Sequence, residues 1–307
     1  MNMKPVDSSE SEAIDSASNS PTRPLYWSLR RELWENRSIY IAPLIVAGVV
    51  LFGFLLSTRG LAERRRAVLL LDEVHQRTAI TPLYGMAAFM IVFTVFIVGL
   101  FYCLDALYGE RRDRSILFWK SLPVSDLTTV LSKVIVALVV LPLVSFAAIV
   151  LTHLVMVLMT NVVLLMSGMS VATFWPQLRF FPSPLVMLYG VIAIALWHAP
   201  IFGWALLVSG WARRATFLWA VLPLLAIAAV ERMAFNTSYF AAFLRYRVNG
   251  WFTEAFAFKG TGGLGLDPAT QLTPGHFFSL PALWLGLVFA VAFLAAAVRL
   301  RRYRGPL

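Results

Sequence analysis

KVIVALVVLPLVSFAAIVLTHLVMVLMTNVVLLMSGMSVATFWPQLR, residues 133–179, carries a charge at each end and none between. A soluble core cannot hide so long an apolar run, whereas a bilayer needs about 20 apolar residues per helical crossing. The run has room for two short spans, or for one span and a re-entrant piece, with Asn161 or the Ser167–Gly168 pair as the breaks. The rest of the chain has the same character. Of 307 residues, 59% are hydrophobic and 14% charged, where a soluble domain carries about 25% charge. Mean hydropathy is +0.75. These figures point to an all-α polytopic membrane protein, because helices satisfy their own backbone groups in lipid. They exclude a soluble enzyme, a nucleic-acid-binding domain and a disulfide scaffold. Cys103 is the sole cysteine, so neither an internal disulfide nor a cysteine metal cluster can form.

Outward from this run, six stretches approach crossing length, at about 39–57, 84–104, 134–158, 185–208, 215–231 and 280–298. An even count puts both termini on one side. That side receives 16 of the 26 Lys and Arg, which by the positive-inside rule makes the termini cytoplasmic. The cluster Arg64-Arg65-Arg66 opposes this, and a seventh span within 134–178 would narrow the margin. A formal net charge of +10 fits loops that face anionic lipid. Residues 1–24 are too polar to offset the entropy of ordering and read as a disordered cytoplasmic tail without a cleavable signal. Residues 25–37, LYWSLRRELWENR, form an amphipathic helix. Leu25, Leu29 and Leu33 share one arc with Trp27 and Trp34 beside it, while Arg31, Glu32 and Glu35 lie opposite. Such a helix lies in the interface before turning into the membrane.

Several patterns are decoys. GTGGLG at 260–265 follows no apolar strand and opens no helix, so it reads as a loop and not a dinucleotide site. There is no P-loop, no HExxH and no metal spacing among His75, His153, His198 and His276. His153 and His198 fall within spans, where a helix–helix hydrogen bond is the favoured reading over a transport role. No span holds an Asp or Glu near its middle, as an ion-coupled secondary transporter would require. No catalytic constellation, cofactor site or metal site is expected.

The densest polar stretch is the loop 105–133, DALYGERRDRSILFWKSLPVSDLTTVLSK. Glu110 and Arg114 are spaced to support a helix. Ile116, Leu117 and Trp119 are expected to expose an apolar cluster, Pro123 to stop the helix, and Ser125 to cap the third span with Asp126 in its first turn. A helix clipped in this way between two spans suits docking or the relay of force.

Glu110-Arg111, Ser115-Ile116-Leu117, Ser121-Leu122-Pro123-Val124-Ser125 and Lys133 resemble the cytoplasmic loop of permease subunits of ATP-binding-cassette (ABC) transporters, type 2 exporter class. The resemblance implies six spans after an interfacial helix, a coupling helix in loop 105–133, and a re-entrant or amphipathic external segment at 232–279. The basic segment 59–77 departs from the class. The resemblance also implies a dimer with a second permease copy or a related permease, in the bacterial inner membrane. A separate ATPase subunit would hold ATP and magnesium, with Glu110, Arg111, Arg114, Trp119, Pro123 and Ser125 as the coupling residues. The rival reading is a membrane-embedded binding or assembly protein without transport.

Overall fold

Apolar runs and helix ends coincide along most of this chain. The computed structural model describes residues 22–71, 73–122, 124–168, 184–256 and 273–305; the leading tail, Pro123 and the GTGGLG stretch lie outside them. Helix α1 covers Thr22–Glu35, α2 Ser38–Ser57, α3 Leu61–Leu69 and α4 Glu73–Ala106. Two short helices follow, α5 (Tyr108–Arg112) and α6 (Ser115–Ser121). Helix α7 (Asp126–Ile135) continues through a π-helical turn at Val136–Val140 into α8 (Leu141–Met166). The remaining helices are α9 (Pro184–Trp211), α10 (Thr216–Phe235), α11 (Tyr239–Phe256), α12 (Pro274–Ser279) and α13 (Pro281–Tyr303).

Six helical segments are long and apolar enough to cross a membrane: Ser38–Ser57, Pro82–Arg112, Asp126–Met166, Pro184–Trp211, Thr216–Phe235 and Pro281–Tyr303. No strand occurs among the described residues. The chain is thus an all-helical, multi-pass membrane protein.

The long apolar run that opened the question is one continuous helix as far as Met166. Asn161 sits inside α8, and the helix ends at Ser167–Gly168, where Gly168 takes φ +70°. The continuous segment Asp126–Met166 has 41 residues, roughly 60 Å of helix against a hydrocarbon thickness of about 30 Å. At least one end therefore stands outside the lipid. The π turn has a local cause: Pro142 lacks an N–H and its ring crowds the preceding turn, and the wider turn relieves both. The basic segment 59–77 is also ordered into structure, as α3 and the start of α4, so the second span begins on a helix already formed outside it.

Packing centres on α9, which buries more of itself than any other span. Small residues make this possible. At Gly203 a Cβ would meet the Ala290 backbone at 3.3–3.4 Å, so α9 and α13 approach closely there. Helix α10 is the opposite case. It buries only Ala220, and Trp204 Nε1 donates to the Ala220 carbonyl at 3.0 Å to hold it against α9. The two intramembrane histidines behave as helix ties: His153 Nε2 is 3.1 Å from the Tyr84 carbonyl, and His198 Nε2 is 3.1 Å from the Val248 carbonyl.

Candidate functional site: a buried ionic node beneath the 105–133 loop

Charged side chains from four parts of the sequence meet at one end of the bundle. Lys133, on α7, is nearly inaccessible, and its Nζ donates to Glu32 Oε1 at 2.7 Å. It also lies 3.1 Å from Glu110 Oε1. Arg31 Nη2 reaches the same two carboxylates, at 2.7 Å to Glu32 and 3.2 Å to Glu110. The Tyr102 hydroxyl donates to Glu32 Oε2 at 2.8 Å. Arg301, near the end of α13, donates Nη2 to Glu110 Oε2 at 3.1 Å and Nη1 to Asp126 Oδ1. Three carboxylates thus face three cations.

This balance decides the electrostatics. Burial alone would push the Glu32 carboxyl up, but Lys133 and Arg31 outweigh it and hold the group below its ordinary value. For Arg31, burial pulls the guanidinium down while Glu32 and Glu110 raise it, and the net direction is upward. Both groups therefore stay charged at neutral pH. Removing a single member would strand its partners in a poor dielectric, which commonly costs more than the whole pair contributes.

Backbone contacts complete the clamp. Ser209 Oγ accepts from the N–H groups of Leu107 and Tyr108, both at 2.9 Å. Arg111 Nη1 donates to the carbonyls of Gly210 and Ala212 at 2.9 and 3.1 Å, closing the C-terminal end of α9. Lys120 Nζ donates to the carbonyls of Arg302 and Arg304 at 3.4 and 3.3 Å. The two short helices of the loop are tied in this way to α1, α7, α9 and α13.

The coupling residues read from the sequence meet different fates. Ser125 caps α7 as expected, its Oγ accepting from Thr128 N at 3.0 Å. Glu110 and Arg111 lie inside the node and clamp, 9% and 4% exposed, so they are not surface groups for a partner to grip. Arg114 does not extend a helix from Glu110. It adopts φ +58° between α5 and α6, and the chain turns there. Ile116 is buried. Trp119 is half-covered, with the Arg31 guanidinium 3.9 Å above its ring. The exposed apolar groups of α6 are Leu117 and Phe118, at 58% and 60%. Pro123 lies outside the described residues.

Helix α1 also needs correction. It spans Thr22–Glu35, and Glu32 is not on a solvated face but 1% exposed in the node. Its outward face is aromatic and basic: Tyr26, Trp27 and Trp34 are exposed, and Arg30 sits over the Trp27 and Trp34 rings at 5.3 and 4.7 Å. The sequence offered one hint of the node. Lys133 stands at the mouth of a long apolar run, and a buried ammonium there demands a carboxylate. It did not say which one.

Among the described residues no cluster of His, Cys, Asp and Glu has the makings of a metal site. No known protein family matches this chain, and no curated protein is significantly similar to it.

Proposed function

We propose that this chain is the permease subunit of an ATP-driven ABC exporter of the type 2 class. In that reading it works as a dimer in the bacterial inner membrane with both termini cytoplasmic, and couples to a separate ATPase that holds ATP and magnesium. The observation that carries the reading is the clamped loop with an apolar tip. Leu117 and Phe118 project from α6, while Glu110, Arg111, Trp119 and Lys120 fasten the loop to α1, α7, α9 and α13. A load applied at Leu117 and Phe118 would pass through Trp119 to Arg31, and through Glu110 to Lys133 and Arg301. Those residues stand at the ends of α1 and of the second, third and sixth spans, so one push biases several helices together.

Two further features support the reading. The first and last described helices meet at the node, through Arg31 and Arg301 on Glu110, so both lie at the same end of the bundle. That end also carries the exposed Arg112, Lys120, Arg213 and Arg214, which the positive-inside rule places in the cytoplasm. The aromatic and basic face of α1 suits the headgroup region beside them. An ion-coupled secondary transporter is disfavoured, because the buried carboxylates Glu32 and Glu110 are fully occupied by cations at one end.

Co-purification tests the reading. The full chain should bring down a P-loop ATPase, and reconstituted vesicles should hydrolyse ATP in a vanadate-sensitive manner. Leu117→Ser with Phe118→Ser should insert and fold normally yet lose that ATPase. If the unmodified chain recovers no P-loop protein, the permease reading fails and the binding or assembly role replaces it.

A further inference from the structure

Arg247, unlike the cations of the node, has two open donors among the described residues. It lies on α11 at 7% exposure and, among the described residues, has no carboxylate within ion-pairing distance. Nη1 donates to the Ala282 carbonyl at 3.1 Å, and the guanidinium carbon lies 4.8 Å from the Trp197 ring centre. Nε and Nη2 have no acceptor among the described residues.

Its depth makes the isolation costly. Trp197 is close to the midpoint of the 28-residue α9, roughly 20 Å from either end, so Arg247 packs against the middle of a spanning helix. A cation buried at such depth is ordinarily paired, and one that is not marks a functional site by default. The surroundings are shaped to hold it. Trp197 Nε1 donates to the Arg247 carbonyl at 2.9 Å, and His198 Nε2 lies 3.1 Å from the next carbonyl, that of Val248. Any side chain at position 286 would overlap the guanidinium, so Gly286 leaves the space it fills. On the next face of α9 lies a small apolar cleft of about 30 Å³, walled by Phe96, Ile194, Phe202 and His198.

We propose that Arg247 is the anchor of a binding site for an anionic amphiphile, a carboxylate or phosphate group on an apolar chain. The acid takes the two free donors, Nε and Nη2, in the forked geometry that suits guanidinium. The apolar chain accounts for the depth, since a small hydrated anion would have to shed its water to reach it. Two sources carry this chemistry, a resident bilayer lipid and a free amphiphile in transit. The site stands whether or not the chain is a permease.

The test uses the full chain purified in neutral detergent. Phosphatidylglycerol, oleate, inorganic phosphate and zwitterionic phosphatidylcholine are each titrated, with thermal shift and native mass spectrometry as readouts. Phosphatidylglycerol or oleate should bind one to one and raise the melting temperature. Phosphatidylglycerol that survives washing identifies a resident lipid; oleate binding to the washed protein identifies a free amphiphile. Arg247→Gln should weaken binding at least tenfold, Arg247→Lys less, and Gly286→Ala should mimic the loss by displacing the guanidinium. Phosphatidylcholine or inorganic phosphate binding as tightly would overturn the proposal, as would Arg247→Gln binding unchanged. Because the unmodified protein is titrated first, its failure to bind either acid also sinks the idea, even if a variant misfolds. None of these readouts needs an ATPase, so this outcome is separate from that of the permease reading.

Discussion

The bundle treats buried charge in two ways. At the node, Lys133, Arg31 and Arg301 meet Glu32, Glu110 and Asp126, and each cation touches at least one carboxylate. At the seam of α9, α11 and α13, Arg247 meets an indole face and one carbonyl. The first arrangement fixes helices in place, because any separation leaves several charges unpaired in a poor dielectric. The second leaves binding capacity open. Rigidity and receptivity thus come from the same residue type: Arg111, also without a carboxylate among the described residues, ties the end of α9 through two carbonyls, whereas Arg247 keeps two donors open.

Substitution of Lys133 is the strongest way to break this contrast. Lys133→Ala leaves Glu32 and Glu110 short of a counter-ion, and a loss of about 3–5 kcal/mol is expected. It should appear as a large fall in melting temperature or in folded yield. Adding Glu32→Gln should recover part of that loss, and a double that is merely additive would deny that the two are coupled.

Next in size is the apolar tip of α6. Leu117→Ser with Phe118→Ser removes exposed side chains, so stability should hold within experimental error. Partner binding should weaken by about 2 kcal/mol or more, the usual cost of losing an interface anchor. Equal loss of stability and binding would mean that the tip packs within the chain itself.

Acid probes the node without mutation. The folded-state value of Glu32 is lowered, so its contribution is present above the ordinary carboxylate range, about pH 4.3. It is lost as pH falls through the lowered value. Helix α1 should loosen over that interval, read by proteolysis near Asn36. Glu32→Gln should abolish the acid-dependent step, and its persistence would assign the step to another group.

Two smaller effects sharpen the comparison. Ser125→Ala removes the cap of α7 and should cost about 1 kcal/mol, measured by thermal unfolding. Arg247→Gln strands no carboxylate among the described residues, so its loss of cation–π contact is offset by relief of desolvation, and stability should move by less than about 1 kcal/mol. A loss as large as that of Lys133→Ala would show that Arg247 is structural, as the node residues are.

Much of the fold was legible because lipid imposes a one-dimensional rule. A crossing helix must be apolar for about 20 residues, and the six runs read from the chain overlap the six spanning helices observed. Ser125 was legible for a similar reason: a cap acts on the backbone three residues away, and Thr128 is where its bond goes. The π turn, the helical form of 59–77 and the reversal at Arg114 were not read. Each depends on local backbone geometry that hydropathy does not encode.

Composition, hydropathy and capping pattern thus determined a helical membrane protein, the positions of its spans and the cap of the third span. These follow from interactions within a few residues or with the solvent, and sequence states them directly. Tertiary structure decided what the charges do. Glu32 meets Lys133 across 101 positions, and Glu110 meets Arg301 across 191. Arg247 meets nothing of opposite sign among the described residues. Pairing energy depends on distance and dielectric in space, and chain order specifies neither until the helices have packed.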